Sequence, residues 1–287
     1  MLCALQSAGV EASAFDQILG VSAGALNGAY YVAGEMGMGL PVYYEDLSDL
    51  RLFDPTRVLS AKSPIDLDLL ITQTLEVNRP LTVENVTAAD NFSAIATNLA
   101  TCQSTPLTGL STKSDLIDAL RSSSRLPLLG GRAVEFRGTK YVDGSYSGGL
   151  PVELAVAAGA THVLVLFTQP ASSALANQAS FRVKNSYLDL YRAGLAGSYW
   201  RSKQRTHSLR NELSEPSGGP VHIAAISPSD DQPRLSKLET DGEVMRSASL
   251  HGWLQAHRFL NPLHDIDESH LSVQYSPNFE VRIESKV

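Results

Sequence analysis

The sequence has few cysteines, and this shortage excludes two classes of protein. Cys3 and Cys102 are the cysteines of the 287-residue chain. Two cysteines cannot build the disulfide framework of a small secreted domain, and neither has the spacing of a Cys/His zinc site. We expect both to be small apolar residues of the core.

Positive charge is also scarce. The chain carries 23 Lys and Arg against 30 Asp and Glu, a formal net charge of -7, whereas binding to a nucleic-acid backbone depends on clustered Lys and Arg. The densest basic segment, WRSKQRTHSLR at 200–210, is typical of a solvated helix face. We therefore expect no nucleic-acid partner.

No segment is long and apolar enough to predict a membrane-spanning helix. The most continuous apolar stretch, LAVAAGATHVLVLF at 154–167, is too short and too interrupted to cross a bilayer. The first residues, MLCALQSAGVEAS, lack the positive leader of a secretory signal. Because no strongly basic amphipathic helix stands out either, the sequence predicts a soluble, cytoplasmic protein whose contact with membranes is transient and peripheral.

Strand-like apolar segments alternate with segments of helical periodicity. The strand-like segments lie at 17–21, 92–100, the end of 140–167 and 221–227, and the helical ones at 2–9, 23–34, 113–129 and 239–260. This alternation predicts an α/β fold, a three-layer sandwich with a mainly parallel central sheet and helices on both faces. Without an internal repeat or an obvious linker, we expect one domain over residues 1–287. The best loop candidate is 209–220, and whether 41–90 forms a lid stays open.

A serine flanked by glycines stands between a strand and a helix. The segment GVSAG, residues 20–24, ends the apolar run QILGV and opens a segment with apolar residues at helical spacing. That context predicts a nucleophile elbow, in which a sharp turn lifts the hydroxyl of Ser22 clear of the sheet. Gly20 and Gly24 are then the positions where a side chain would collide.

Asp143 is a second candidate because it follows the apolar pair Tyr141-Val142 and precedes the glycine-rich segment GSYSGG at 144–149. Active sites of open α/β sheets lie at the carboxyl ends of strands, although an aspartate in this context is also a common turn former. The segment 144–149 lacks the Gly-Lys-Ser/Thr ending of a phosphate-binding loop. Its pairing with the Ser22 elbow makes Asp143 a candidate catalytic residue.

These segments resemble the patatin-like phospholipases, serine lipid acyl hydrolases of bacteria and plants. GVSAGALNGA is similar to the family's nucleophile motif, and YVDGSYSGGLPVELAVAAGATHVLVL to the block that carries the aspartate of its catalytic dyad. Weaker agreement, in the family's order, comes from SPIDLDLL, IATNLATC, SSSRLP and LSKLETDGEVMRSASLHG.

The resemblance implies a Ser-Asp dyad without histidine, with Ser22 as nucleophile, Asp143 as base and an acyl-enzyme intermediate. It also implies an oxyanion donor at the backbone N–H of Ala23 and a loop glycine at Gly144. The substrate implied is a lipid or other acyl ester, with no cofactor and no metal.

The sequence departs from the family pattern at two places. Family members carry Asp-Gly-Gly or Asp-Gly-Ala where this chain has Asp143-Gly144-Ser145. The family also has a glycine-rich loop after a first strand, which completes the oxyanion hole, and MLCALQSAGV resembles the helix that follows that loop. We therefore expect the chain as given to be an N-terminally incomplete patatin-like domain that lacks this loop.

Other functions remain open on the sequence alone. An α/β-hydrolase carries a Ser-His-Asp triad with histidine last in the chain, and His222 and His251 are candidates. A catalytically weakened or inactive relative would bind lipid without hydrolysing it. The segment HDIDESH at 264–270 is more typical of an exposed acidic segment than of a metal site. Acyl length, head group, positional preference and oligomeric state stay unassigned.

Overall fold

The computed structural model of the chain describes residues 1–46, 63–170, 177–213, 221–230, 241–262, 271–275 and 281–285, together with Ser173, Leu175, Leu235 and Glu239. The strands in these ranges are β1 (Ile18–Val21), β2 (Phe92–Asn98), β3 (Gln103–Leu107), β4 (Val134–Phe136), β5 (Thr139–Asp143), β6 (His162–Leu166), β7 (His222–Ile226), β8 (Leu271–Tyr275) and β9 (Val281–Ser285).

The helices in the same ranges are α1 (Leu2–Ser7), α2 (Ala23–Val32), α3 (Met36–Gly39), α4 (Leu67–Gln73), α5 (Val83–Ala89), α6 (Lys113–Ser124), α7 (Val152–Ala157), α8 (Gln178–Lys184), α9 (Tyr187–Tyr191), α10 (Leu195–Leu213) and α11 (Gly242–Leu260). Short 3-10 turns lie at Ala12–Ala14, Leu40–Val42 and Gly144–Tyr146, and a π-helical turn at Thr74–Asn78.

Strand β2 is the centre of the main sheet and pairs with β1, β3 and β5. Its residues 92–95 pair in parallel with β1, residues 96–98 antiparallel with β5, and residues 94–98 antiparallel with β3. One edge of a strand holds one partner at any position. Because β3 overlaps both β1 and β5 along β2, the strands β1 and β5 share the opposite edge and their carboxyl ends meet there.

The α/β fold predicted from the sequence is confirmed, but the sheet is mixed rather than mainly parallel. Among the described pairs, β1–β2 and β6–β7 are parallel, whereas β2–β3, β2–β5, β4–β5 and β8–β9 are antiparallel. For the pairs β2–β3 and β4–β5 the reason is a short connection, because a parallel pair needs a long crossover. Residues 99–102 join β2 to β3, and Arg137 and Gly138, both at positive φ, turn β4 into β5.

Helices cover both faces of the main sheet, as predicted. Side chains alternate between the two faces along β5. Tyr141 belongs to a buried cluster with Ala29 of α2 and Leu120 of α6, whereas Val142 belongs to a second cluster with Leu195 and Trp200 of α10. The sheet therefore separates α2 and α6 from α10.

Two local predictions are corrected by the structure. Helix α10 continues to Leu213, so the loop predicted at 209–220 is wrong for its first part, and 214–220 lie outside the described residues. Cys3 is buried as expected, but Cys102 is half-exposed because it lies in the turn between β2 and β3, at a φ of 54°.

The lid hypothesis for 41–90 stays a prediction, since 47–62 lie outside the described residues. Of the residues that are described, α4 is bound to α6 and the segment after it. Arg121 donates to Thr72 over 2.8 Å, and Arg125 donates to Asp68 over 2.5 Å. In the described ranges, no helix has both the length and the apolar character needed to cross a bilayer.

Candidate active site

The turn between β1 and α2 holds Ser22 in a strained backbone conformation. Ser22 follows Val21, the last residue of β1, and precedes Ala23, the first of α2, with φ 55° and ψ -123°. Residues other than glycine rarely adopt positive φ, and such strain is concentrated at functional sites. The strand and the helix predicted around Ser22 are therefore present, and the chain changes direction at this single residue.

The glycines around the turn differ in what a side chain would meet. A Cβ atom on Gly20 would lie 2.5 Å from Ala25 Cα, and one on Gly144 would lie 2.2 Å from the Ile95 carbonyl oxygen. The prediction that a side chain at Gly24 would collide is wrong, because a Cβ there would meet nothing within 4 Å. Gly24 is exposed in the first turn of α2, so its missing side chain would point to open space.

The side chain of Ser123, on α6, connects the backbone of the turn at Ser22 to strand β2. The Ser22 N–H donates to Ser123 Oγ over 2.9 Å, and the Ser123 hydroxyl donates to the Ile95 carbonyl over 2.7 Å. Ser123 is completely buried, so water cannot replace either bond and their loss would be costly. The strained residue is thus fixed by a side chain from another element.

The Ser22 hydroxyl donates a hydrogen bond to Asp143 Oδ2 over 2.7 Å. Asp143 is the last residue of β5 and only 2% exposed. Its Oδ1 accepts from the Ser145 N–H over 2.8 Å, its own N–H donates to the Arg125 carbonyl over 2.8 Å, and its carbonyl accepts from Thr97 Oγ1 over 2.8 Å. Backbone and carboxylate are therefore both fixed, with one oxygen directed at Ser22.

Tyr146 is buried close to this carboxylate. Its ring is buried and packs against the ring of Tyr199 on α10, with centroids 4.8 Å apart. Burial raises the pKa of Tyr146 far above its usual range, and the nearby Tyr187 phenol and Asp143 carboxylate add to the effect. The phenol therefore stays uncharged at neutral and mildly alkaline pH.

The first turn of α2 presents backbone donors beside Ser22. Serine favours the N-cap position that Ser22 occupies because its oxygen can accept from the first turn, but Ser22 makes no such bond. The Ser22 carbonyl accepts from Ala25 and Leu26. Among the described residues, the N–H groups of Ala23 and Gly24 have no acceptor, and at the positive end of the helix dipole they could bind an anionic oxygen.

The histidines considered for a triad contact other groups. The His222 ring stacks on that of His162 with centroids 4.9 Å apart, and His251 Nε2 lies 2.8 Å from Ser229 Oγ. Ser22 donates its hydroxyl hydrogen to a carboxylate instead. These contacts give no support to a Ser-His-Asp triad.

Metal ligands do not assemble in the part of the chain that the structure describes. No group of three or more His, Cys, Asp or Glu side chains there is arranged to hold a metal ion. The segment 264–270, which carries the acidic residues and histidines noted in the sequence, lies outside the described residues.

The structure brings together Ser22 and Asp143, both candidates from the sequence, and adds Ser123, which the sequence did not single out. The signal for Ser22 was a strand and a helix around a glycine-flanked serine, and the signal for Asp143 was its place at a strand end. Ser123 lies within SSSRLP, which contributed only to the family resemblance. A serine inside a helix is common, and its role here depends on which carbonyl and amide the fold brings to it.

Comparison with known proteins relates this geometry to a family. The family model described as patatin-like phospholipase matches residues 1–156 of the 287, which include Ser22, Ser123 and Asp143. The chain is also 32% identical over 160 residues to the uncharacterized protein YjjU of Escherichia coli strain K12. That match covers 54% of this chain and 44% of the relative, so it spans less than half of the relative's length. With more than half of its residues matched by the family model, the chain belongs to the patatin-like phospholipase family.

Proposed function

We propose that this protein is a carboxylic-ester hydrolase of lipids, with Ser22 as nucleophile and Asp143 as general base. The observation that carries the proposal is the 2.7 Å hydrogen bond from the strained Ser22 to the buried Asp143. Family membership supports a lipid or related acyl ester as the substrate. The proposal includes a single domain and transient contact with the lipid surface that holds the substrate.

Acylation begins with transfer of the serine proton. As Ser22 Oγ attacks the carbonyl carbon of the ester, Asp143 Oδ2 accepts the hydroxyl hydrogen and the carbonyl oxygen becomes an oxyanion. The Ala23 N–H, at the positive end of α2, donates to this oxyanion. When the intermediate collapses, the ester C–O bond breaks, the alcohol leaves with the proton held by Asp143, and the acyl group remains on Ser22.

Deacylation repeats these steps with water. Asp143 accepts a proton from a water molecule, whose oxygen attacks the acyl carbonyl carbon. The second intermediate collapses by breaking its bond to Ser22 Oγ, which takes the proton back from Asp143. The products are a fatty acid and the free Ser22 hydroxyl, so the protein is regenerated without a cofactor.

The position of Asp143 suits a carboxylate that works without a histidine. A serine hydroxyl is a weak nucleophile and needs an adjacent base within hydrogen-bond reach. Because Asp143 is 2% exposed, bulk water competes little for Oδ2. The Ser145 N–H occupies Oδ1, which leaves Oδ2 facing Ser22, and little reorganisation is needed when the proton moves.

Hydrolysis of a short-chain chromogenic ester tests this proposal. We expect Asp143→Asn to lower kcat about 10²- to 10⁴-fold through loss of the base, and Ser22→Ala to lower it at least as much, both with little change in KM. Matched controls are His222→Ala and His251→Ala, which should retain activity. Equal rates in all variants would refute the proposal, and loss of activity in a histidine variant would favour the triad.

Labelling with a fluorophosphonate distinguishes a hydrolase from an inactive lipid-binding relative. The probe forms a covalent bond to an activated serine, so we expect wild-type protein to be labelled at Ser22 and Ser22→Ala to remain unlabelled. A folded wild-type protein that neither reacts nor hydrolyses esters would favour the lipid-binding function.

A further inference from the structure

Ser202, on helix α10, closes the loop that follows Asp143. Its hydroxyl donates to the Ser145 carbonyl over 2.9 Å, and its Oγ accepts from the Gly149 N–H over 2.9 Å. The side chain is buried, with 2% exposure. One hydroxyl thus binds both ends of the segment 145–149. Helix α10 lies beyond residue 156, where the family match ends.

Ser145 connects this contact to the carboxylate of Asp143. The Ser145 N–H donates to Asp143 Oδ1 over 2.8 Å, while its carbonyl accepts from Ser202. The N–H and the carbonyl of one residue are separated only by its φ and ψ angles. When Ser202 holds the carbonyl, it therefore restricts the direction of the N–H that orients the carboxylate.

The loop is rich in glycine, and contacts with several other elements restrict its backbone. Gly144, Gly148 and Gly149 lie in or next to it, and glycine has more backbone freedom than any other residue. Helix α10 also contacts the loop through Tyr199, whose ring packs on Tyr146. The hydroxyl of Ser202 adds hydrogen bonds to this contact, and its partners are backbone groups of the loop.

We propose that Ser202 is a positioning residue that keeps Asp143 directed at Ser22 by holding the segment 145–149. Its effect on hydrolysis rests on the proposed function, whereas its restraint of Ser145 does not. The protein therefore draws part of its active-site support from a helix outside the matched residues.

Ser198→Ala is a matched control for Ser202→Ala. Ser198 lies one turn earlier on α10, is 4% exposed, and donates to the Cys102 carbonyl over 2.7 Å, away from the loop. Each variant removes a buried serine hydroxyl and leaves one carbonyl without its donor, and Ser202→Ala also leaves the Gly149 N–H without its acceptor. We expect Ser202→Ala to lower kcat about tenfold or more through misplacement of the base, with KM unchanged, and Ser198→Ala to keep the wild-type kcat.

Amide hydrogen exchange measured by NMR tests the restraint without reference to activity. The Ser145 N–H is not bonded to Ser202, so faster exchange of this amide in Ser202→Ala, and not in Ser198→Ala, reports a transmitted effect. In wild-type protein, the Ser145 and Gly149 amides should become exposed in the same local unfolding event. Their exchange rates should then depend on denaturant concentration in the same way. This last measurement needs no variant.

The outcomes separate the two proposals. An unchanged exchange rate of the Ser145 amide in Ser202→Ala overturns the role of Ser202. So does a different denaturant dependence of the Ser145 and Gly149 exchange rates in wild-type protein. A wild-type kcat in Ser202→Ala, measured on a protein that hydrolyses esters through Ser22, overturns it as well. If wild-type protein shows no Ser22-dependent hydrolysis, the proposed function fails, and the exchange rates still decide whether Ser202 restrains the loop.

Discussion

Ser22 and Asp143 are 121 residues apart in the chain, yet their side chains are within hydrogen-bond distance because β1 and β5 end against each other on one edge of β2. Val21, just before Ser22, pairs with Ile95, and Asp143 pairs with the next residue, Ala96. Two neighbouring residues of one central strand thus set the separation of the proposed nucleophile and base.

Gly20→Ala is expected to destabilise the protein and to lower its activity. The new Cβ would lie 2.5 Å from Ala25 Cα, so α2 would have to move away from β1. Overpacking of this kind costs about 1–3 kcal/mol or more in the free energy of unfolding, which urea denaturation measures. Gly24→Ala is the control, and we expect it to be neutral or slightly stabilising, since alanine favours helix over glycine. Equal destabilisation by both variants would contradict the described turn.

Ser123→Ala is expected to destabilise the fold and to lower the proposed activity. The change leaves the Ser22 N–H and the Ile95 carbonyl without their partner, which costs about 1–3 kcal/mol for a buried group. We expect kcat to fall about tenfold or more, because the strained elbow would relax. Urea denaturation and the ester assay measure the two effects.

The neighbouring Ser122 supplies the control for that experiment. Its hydroxyl is buried, and in the described part of the chain it has no hydrogen-bond partner. Ser122→Ala should therefore leave kcat unchanged and leave stability unchanged or increased. If Ser122→Ala reduced kcat as much as Ser123→Ala, the bridge to Ser22 would not be the cause.

Arg125→Met is expected to loosen the segment that follows α6. The Arg125 side chain is 7% exposed, and its guanidinium binds both Asp68, over 2.5 Å, and the Gly130 carbonyl. Because Asp68 is half-exposed and water can solvate it in the variant, we expect a loss of about 1–3 kcal/mol rather than the larger cost of a fully buried pair. Thermal and urea unfolding measure the loss.

Arg121→Gln is the matched change for Arg125→Met. Arg121 lies one turn earlier, on α6, and also pairs with Asp68, at 3.3 Å, but its side chain is 27% exposed. Such pairs contribute little, so we expect a loss of less than about 1 kcal/mol. A larger effect from Arg121→Gln than from Arg125→Met would argue against a structural role for the buried guanidinium.

The buried tyrosines of α2 are expected to make the protein unstable in alkali. Burial, with a contribution from Glu35, raises the pKa of Tyr30 well above its usual range, and burial, with a contribution from Glu11, raises that of Tyr31 to about 12. Unfolded tyrosine ionises near pH 10. Between about pH 10 and 12 the unfolded chain releases protons that the native protein retains, so stability falls as pH rises.

Tyr31→Phe isolates one part of this effect. The variant loses the bond from the Tyr31 hydroxyl to the Val10 carbonyl, so it should be less stable at neutral pH by about 1 kcal/mol. Above pH 10 its stability should fall less steeply, by up to about 1.4 kcal/mol per pH unit. Parallel stability curves for the variant and wild type from pH 10 to 12 would show that Tyr31 does not contribute.

Sequence patterns predicted the strands and helices whose formation depends mainly on residues close together in the chain. The strand before Ser22, the helix after it and the strand that ends at Asp143 follow from apolar spacing and β-propensity. The resemblance then joined two residues that no local pattern relates. Strand direction was beyond such reasoning, because it depends on which edge of β2 each strand reaches.

The sequence predicted the structural roles of small and polar residues least well. A glycine motif could not tell the crowded Gly20 from the open Gly24, since the difference lies in the orientation of a missing Cβ. Ser123 and Ser202 act through carbonyls and amides distant in sequence, and nothing in their spacing indicates those partners. Tertiary packing gives these residues their roles.

The attachment to β2 of β1 and β5, the strands that end at the candidate active site, has a consequence for inactivation. Ala94, Ile95 and Ala96, where those strands are held, are completely buried, so β2 cannot release either neighbour without exposing the core. Moving the backbones of Ser22 and Asp143 apart then requires nearly the free energy of global unfolding. Loss of the proposed activity on heating should therefore coincide with loss of the fold, with no earlier stage in which β1 and β5 separate while the rest of the sheet survives.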